Sequence, residues 1–263
     1  MSNSQVYPVI FSPNKFVNGF AIDRASNTTL TIGAGTARDS NNVMDLTLLA
    51  TDSTLDAAGY VTAPLTLNIA LSGANGIDTG TVTASSFYKI YLIGASTNLK
   101  PIACIATLNS SALPTMPSGY DSYRLIGYFA VDASSHILLA YISGDGNNRR
   151  LTYDAPQATA ITAGNATSYT AVTLSALVPN VDNTRVQIFS ALTPSAAGRG
   201  VFLQGSASTG DQIVNLGQVT SVVLNNTDTV LSQLASGVAK INYKVSNGSD
   251  AVALKVCGFD FAL

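Results

Sequence analysis

Few residues of this chain are of a type that performs acid–base or nucleophilic chemistry. His136 is the sole histidine of the 263 residues, and Asp132, Ser134 and Ser135 stand just before it. A serine–histidine–aspartate triad needs three groups that converge from separate elements, so immediate sequence neighbours do not build one. No Gly-x-Ser-x-Gly nucleophile elbow is present. We therefore expect His136 to be a residue at the edge of a hairpin rather than a catalytic base.

Carboxylates offer two further kinds of site. The run Asp145-Gly146-Asn147-Asn148-Arg149 begins like a calcium loop, but Arg149 stands where a fifth-position oxygen ligand belongs, and no glutamate follows at position twelve. We expect a polar turn here and no metal site. Glycosidases use a pair of carboxyl groups, yet fifteen scattered aspartates make some pair inevitable, so sequence proximity identifies none. The chain is accordingly expected not to be an enzyme and to need no cofactor.

Aromatic side chains are the better candidates for recognition. Tyr120, Tyr123 and Tyr128 follow a rigid Pro-Ser-Gly turn, within a larger aromatic group that includes Phe129 and Tyr141. Tyrosine rings supply amphipathic contact area at a low entropy cost, which suits binding of a glycan or a protein. Aromatic residues in strands also serve as core or cross-strand pairs, and that alternative stays open. The three tyrosines are our predicted surface-recognition residues.

The elements that would position these residues are short strands separated by turns. Apolar and polar residues alternate in Leu65–Leu71, Arg185–Ser190 and Asn242–Val245, as in half-buried strands. All acidic residues are aspartate, which favours turns and caps over helix interiors. No repeat of fixed period and no heptad pattern is present. The sequence predicts an all-β fold of two tandem antiparallel β-sandwich or jelly-roll-like domains.

The segment 143–150 contains no apolar residue between Ile142 and Leu151, and it carries the adjacent pair Arg149 and Arg150. It is the strongest break in the chain. We therefore predict an N-terminal attachment arm over 1–20, a β-domain over 21–145, a linker over 146–157 and a C-terminal β-sandwich domain over 158–263. The two arginines are expected at the domain junction or at an oligomer contact. The predicted core of the C-terminal domain comprises Val172, Leu174, Val186, Ile188, Val222, Leu224, Ile241, Tyr243, Val245, Val252 and Leu254.

Composition narrows the class of partner. Charged residues make up 11% of the chain, against roughly 25% in typical soluble proteins. The longest apolar run, Ile137–Ile142, is far below the roughly 20 residues that span a bilayer. A net charge of −2 and a pI near 5.1 disfavour nucleic-acid binding, which depends on phosphate neutralisation. We expect a self-associating protein that neither enters a membrane nor binds nucleic acid, because homo-oligomer interfaces are more apolar than free surface.

Cys104 and Cys257 lie in apolar, strand-like stretches without the spacing of metal ligands. We expect two buried, reduced thiols, with a disulfide as the alternative. The N-terminus shows no secretory signal. Met1 and the strand-like ending Phe261-Ala262-Leu263 lead us to expect a complete gene product.

Several stretches resemble bacteriophage virion proteins, above all tail fibres, receptor-binding proteins and head decoration proteins. The resemblance rests on Pro-Ser-Gly-Tyr-x-x-Tyr-Arg-x-Ile-Gly within Leu113–Val131, on the hairpin-like pair Asn75–Gly80 and Phe87–Gly94, and on Lys240–Ser246 with Gly258-Phe259-Asp260. It covers residues 30–145, and 165–263 more loosely.

The resemblance implies a non-enzymatic virion structural protein that is made in the bacterial host cytoplasm and assembled as a homotrimer on the tail or capsid surface. It would contact other virion proteins and a host cell-surface glycan or protein. The leading interpretation is a short tail fibre or receptor-binding protein. The alternatives are a capsid decoration protein or head fibre, and a glycan depolymerase.

Overall fold

The computed structural model describes residues 16–51, 62–97, 100–144, 146–181, 184–205, 212–217, 224–235 and 237–263. These residues form strands, turns and irregular connections, with no helix among them, so the all-β prediction is confirmed for this part of the chain. Residues 1–15 of the predicted attachment arm lie outside the described residues.

The described residues of the first half of the chain form ten strands in three sheets. Their bounds are β1 Val17–Gly19, β2 Ile22–Arg24, β3 Thr29–Ile32, β4 Gly35–Arg38, β5 Asp45–Leu48, β6 Leu65–Asn68, β7 Gly76–Ile77, β8 Phe87–Gly94, β9 Ala103–Leu108 and β10 Ser122–Ala130. The sheet orders are β1-β4-β5, β2-β3-β6 and β10-β8-β9-β7. β7 pairs in parallel with β9 rather than with β8, so the hairpin expected from Asn75–Gly80 and Phe87–Gly94 does not form.

In the second half, the residues that the structure describes form ten strands in two sheets. Their bounds are β11 Ala140–Ser143, β12 Asn148–Gly164, β13 Thr170–Thr173, β14 Arg185–Thr193, β15 Arg199–Gln204, β16 Gln212–Gly217, β17 Leu224–Leu231, β18 Gln233–Ala235, β19 Val238–Val245 and β20 Ala251–Ala262. The orders are β11-β12-β20-β14-β17, here called the arginine sheet, and β13-β19-β15-β16, with β18 also paired to β19.

These two sheets enclose one hydrophobic cluster. In β14 and β19 buried residues alternate with more exposed ones, which is the pattern of strands with one face in a core. Val186 and Ile188 of β14 lie in the same cluster as Ile241 and Val245 of β19, which belongs to the other sheet. Nine of the predicted core residues are buried there: Val172, Leu174, Val186, Ile188, Ile241, Tyr243, Val245, Val252 and Leu254. Val222 lies outside the described residues, and the burial of Leu224 is not described.

The break at 143–150 falls where β11 ends and β12 begins, and these two strands pair antiparallel. Ser143 of β11 pairs with Arg150 of β12, and Gly144 and Gly146 adopt φ of 97° and 61°, which glycine tolerates because it has no Cβ. Residues 148–157 of the predicted linker therefore belong to β12, which is paired to β20 on its other edge. Polar residues are accommodated because they alternate with buried Leu151 and Tyr153.

An aromatic cluster joins the two halves of the chain. Tyr128 of β10 lies 5.1 Å, between ring centroids, from Phe261 of β20, and Phe87 of β8 lies 5.6 Å from Phe259. Tyr128 and Phe87 are themselves stacked at 5.5 Å. Edge-to-face and offset pairs of this kind are each stabilising beyond the area they bury. We call Phe87, Tyr128, Phe259 and Phe261 the aromatic junction.

Candidate functional site

Two of the three predicted recognition residues lie together on one outer face. Tyr120 and Tyr123 are half-buried and pack against a small cluster of Tyr91, Ile93, Ala103 and Ile105 on the sheet that contains β8, β9 and β10. The Tyr123 ring meets that of Tyr91 edge to face, with centroids 5.9 Å apart. Both tyrosines therefore combine an anchored ring with a partly accessible edge.

Tyr120 ends a tight turn that the sequence predicts. The backbone N–H of Tyr120 donates to the carbonyl oxygen of Pro117 at 3.1 Å, and Gly119 has a φ of 84°. Pro117 occupies the first turn position and Ser118 the second, and Gly119 supplies the positive φ of the third. The Tyr120 hydroxyl donates to the carbonyl oxygen of Pro101 at 3.1 Å, which holds the ring against the sheet.

The connection from Asn109 to Asp121, here called the tyrosine loop, is tied to the sheet at several points. Lys89 Nζ donates to the carbonyl oxygen of Ser111 at 2.7 Å, and the Thr115 N–H donates to Asp78 Oδ2 at 3.1 Å. Burial lowers the pKa of Lys89. Asp121 accepts hydrogen bonds from both the N–H and the hydroxyl of Ser96, which lowers the pKa of its carboxyl group. A loop held in this way presents its aromatic edge with little ordering cost on binding.

Tyr128 lies elsewhere. It is 4% exposed and forms part of the aromatic junction, where burial raises its pKa well above the ordinary value of 10.0. Its place is in the core rather than on the surface, because the strand alternation of β10 turns it toward β20. Phe129 is also buried and stacks on Tyr88 at 5.2 Å. Tyr141 is 56% exposed, and its hydroxyl donates to Asp154 Oδ1 at 3.2 Å.

His136 lies in the hairpin turn that joins β10 to the residues before β11. Asp132 Oδ1 accepts hydrogen bonds from the N–H groups of Ser134 (2.8 Å) and His136 (2.9 Å). These bonds, with the nearby imidazole of His136, lower the pKa of the Asp132 carboxyl group. His136 Nδ1 lies 3.7 Å from Asp132 Oδ2. The carboxylate thus serves the turn, as short polar residues commonly do.

The two cysteines are free thiols. Cys104 is buried, and desolvation raises its pKa to about 12; Cys257 is half-buried, and its pKa is raised for the same reason. Among the described residues, no group of three or more histidine, cysteine and aspartate side chains could hold a metal ion.

Arg149 is a buried arginine whose guanidinium donates several hydrogen bonds to the backbone of other strands and turns. It is 5% exposed, and its guanidinium donates to the carbonyl oxygens of Phe20 (3.1 Å), Ile126 (3.4 Å) and Gly19. Gly19 and Phe20 both have positive φ, 79° and 59°, so the chain there adopts an uncommon left-handed conformation. Arg149 thus connects β12 with the β1–β2 turn and with β10.

The hydrogen bond from Arg149 to Ile126 also covers part of the edge of the sheet that contains β10. β10 is the outermost strand of its sheet, and a bulge between Leu125 and Gly127 leaves Ile126 outside the ladder with β8. The carbonyl oxygens of Tyr123, Ile126 and Ala130 accept hydrogen bonds from Ser40 N (2.8 Å), Arg149 and Leu138 N (2.9 Å) respectively. Covered edges of this kind do not recruit another strand.

Comparisons with known proteins extend this description little. No family model matches the chain, and no curated protein matches it. Two solved structures from infectious bursal disease virus show weak similarity: the structure of the Gx strain, at 11% identity, and the VP2 subviral particle, at 12%. Each comparison covers 94% of this chain and 67% of the other, with a TM-score of 0.25. At that score we infer nothing from them about arrangement or role.

Within the described ranges, no helix has the length and apolar character needed to cross a bilayer.

Proposed function

We propose that this chain is a non-enzymatic structural protein of a bacteriophage virion, acting as a short tail fibre or receptor-binding protein. The observation that carries the proposal is the half-exposed pair Tyr120 and Tyr123: Tyr120 ends the anchored turn of the tyrosine loop, and Tyr123 follows in β10. This is the segment in which the resemblance to phage virion proteins is strongest. Rigid, partly exposed tyrosines are suited to binding a host glycan or protein.

A homotrimer without a cofactor is part of the proposal. The chain is poor in charge, and large apolar side chains are exposed on the single copy, among them Val43 (68%), Leu113 (58%) and Leu71 (55%). Contact with further copies or with another virion protein would remove such side chains from water. Each Å² of apolar surface buried in this way contributes about 25 cal/mol to the free energy of association.

The proposal is tested by adsorption to host cells. Purified protein should bind saturably, and replacing both Tyr120 and Tyr123 by alanine should reduce the bound amount at least about tenfold, since aromatic residues dominate binding energy at recognition surfaces. Tyr141→Ala, at an exposed tyrosine outside the tyrosine loop, is the matched control. Absence of saturable adsorption at micromolar concentration would exclude a receptor-binding role.

A capsid decoration protein or head fibre is the second candidate, favoured by the same exposed apolar side chains. Gold-labelled antibody on intact virions separates the two, because a fibre is labelled at the tail and a decoration protein over the head. Densitometry against the major capsid protein gives the copy number, which would be in the hundreds for a decoration protein. Label over the head would require the adhesion proposal to be withdrawn.

A glycan depolymerase has less support from the site. Several described aspartates have structural partners: Asp45 pairs with Arg38, Asp250 accepts from Ser195, and Asp260 pairs with Arg150. Our proposal is therefore that the chain binds glycan without cleaving it. Haloes of cleared polysaccharide around purified protein on host lawns would contradict this.

A further inference from the structure

A row of polar side chains crosses the outer face of the arginine sheet near one end. Ser143 of β11 pairs with Arg150 of β12, and Arg150 pairs with Asp260 of β20. On the other side of β20, Val186 of β14 pairs with Phe259, so Arg185 follows beside Asp260. Four neighbouring strands thus contribute Ser143, Arg150, Asp260 and Arg185 to one line.

An open cleft of about 600 Å³ lies over this row. Its lining includes Gly144, Asn148 and Ala262, together with Arg150, Arg185 and Asp260. A cleft of this size is in the range of small-molecule sites, which use a few convergent polar groups to fix orientation. Asn148 and Ser143 supply hydrogen-bonding groups of the kind that sugar hydroxyls need.

The charges of the row are not balanced. Arg150 engages both oxygens of Asp260, with Nε–Oδ1 at 2.5 Å and Nη2–Oδ2 at 3.1 Å. Asp260 is therefore already paired in the fork-to-fork geometry typical of arginine and carboxylate. Arg185 is exposed and forms no salt bridge with any residue in the described part of the chain. Among the residues that the structure describes, its guanidinium is the excess positive charge at the cleft, and its donors match a planar carboxylate or a phosphate.

The remaining charges of the chain restrict the ligand to a small anionic group. A net charge of −2 disfavours nucleic acid, whose binding depends on many phosphate contacts, whereas one excess guanidinium in a cleft attracts a single carboxylate or phosphate. Arg149 also lines the cleft, but its guanidinium donates to carbonyl oxygens on the inner side.

We propose that this cleft binds the anionic group of an acidic sugar, with Arg185 as its principal contact and the Arg150–Asp260 pair as the fixed wall. The inference rests on the proposed receptor-binding function and names the ligand class: a bacterial surface glycan that carries carboxylate or phosphate. The cleft lies on a different sheet from the tyrosine loop and would form a second contact with the same glycan.

Isothermal titration with trigalacturonate, inorganic phosphate and neutral maltotriose tests the cleft directly. We expect trigalacturonate to bind and maltotriose not to bind. Arg185→Gln should weaken trigalacturonate at least about tenfold, since it removes a charge-assisted bidentate contact. Arg185→Lys should restore part of the affinity, because the charge remains while the fork is lost. Arg199→Gln, on the opposite sheet, is the matched control and should leave the affinity unchanged.

Two results of the titration would overturn the proposal. Equal affinity for inorganic phosphate and trigalacturonate would reassign the cleft to free phosphate and overturn the glycan assignment. No binding at millimolar concentration, or binding that Arg185→Gln leaves unchanged in a protein with an unaltered melting temperature, would overturn the site itself.

Host-cell adsorption separates failure of the cleft from failure of the proposed function. If wild-type protein and Arg185→Gln adsorb equally well, the cleft is not a receptor contact and the receptor-binding proposal stands on the tyrosine loop. If trigalacturonate binds through Arg185 while the protein does not adsorb to cells, the site stands and the receptor-binding function falls.

Discussion

Arg149 Nη1 donates a hydrogen bond of 3.1 Å to the carbonyl oxygen of Phe20, a residue 129 positions earlier in the chain. The same guanidinium also donates to the carbonyl oxygen of Ile126 in β10. A single buried side chain from the second half of the chain therefore contacts two separate places in the first half. The carbonyls it serves belong to a left-handed turn and to a bulge, two places where a regular ladder leaves oxygens without a strand partner.

Replacing Arg149 by methionine should destabilise the protein strongly. Methionine preserves much of the side-chain volume but leaves buried carbonyl oxygens without donors, each at a cost of about 1–3 kcal/mol. We expect the free energy of unfolding in urea to fall by about 3 kcal/mol or more. Arg150→Met is the control, since the neighbouring arginine forms a partly exposed ion pair worth at most about 1 kcal/mol. Equal losses of unfolding free energy in the two variants would show that the buried Arg149 contacts contribute no more to stability than an exposed ion pair.

Tyr128→Ala should be among the most damaging single changes in the described chain. It removes the central ring of the aromatic junction, which contacts Phe87, Phe259 and Phe261. Truncation of a buried aromatic ring costs about 3–5 kcal/mol, measured as the loss of unfolding free energy. Tyr141→Ala, at an exposed tyrosine, should leave stability nearly unchanged. If Tyr128→Ala unfolds at the wild-type denaturant concentration, the junction does not couple the two halves.

Gly258→Ala should disrupt the pairing of β12 with β20. A Cβ at Gly258 would lie 2.3 Å from the carbonyl oxygen of Leu151 and 3.1 Å from Thr152 Cα, both backbone atoms that cannot turn away. Relief of such a clash costs about 1–3 kcal/mol, which should appear as a lower melting temperature. Gly248→Ala is the matched control, because its nearest neighbour lies at 3.8 Å. A wild-type melting temperature for Gly258→Ala would mean that the two strands are less closely paired.

Alkaline pH should weaken the fold because burial raises the pKa of several acids, among them the Cys104 thiol and the Tyr91 hydroxyl. Burial raises the pKa of Cys104 from 9.0 to about 12 and that of Tyr91 from 10.0 to about 12. Each group ionises more readily in the unfolded chain, so the unfolded state loses protons first as the pH rises. The associated stability is complete below pH 9 and is lost between about pH 9 and 12.

Urea unfolding at a series of pH values measures this decline directly. Cys104→Ala removes one of these groups and should give a shallower fall in unfolding free energy above pH 9. Cys104 should also react with a thiol reagent only after unfolding, whereas half-buried Cys257 should react in the native protein. A decline that is identical in wild type and Cys104→Ala would assign the pH dependence to other groups.

Alternation of apolar and polar residues was sufficient to predict the all-β class and many of the strands. The buried positions of β14 and β19 were predicted individually, since a strand with one face in a core repeats every two residues. The Pro117–Tyr120 turn could also be predicted, because the proline ring fixes φ and glycine, which has no Cβ, accepts the positive φ that the turn needs. These features depend on residues close together in the chain, so local sequence contains the information that specifies them.

Contacts between distant residues were decided only by the tertiary structure. β12 was missed because its first residues are polar and because pairing with β20, more than ninety positions later, is what makes them a strand. Tyr128 and Tyr123 stand five positions apart in the same aromatic stretch, yet one packs in the aromatic junction and the other on an outer face. Sequence alternation shows that a residue faces one side of a strand. Which side is covered depends on the neighbouring sheet, and the free energy of that packing comes from chain segments far away in sequence.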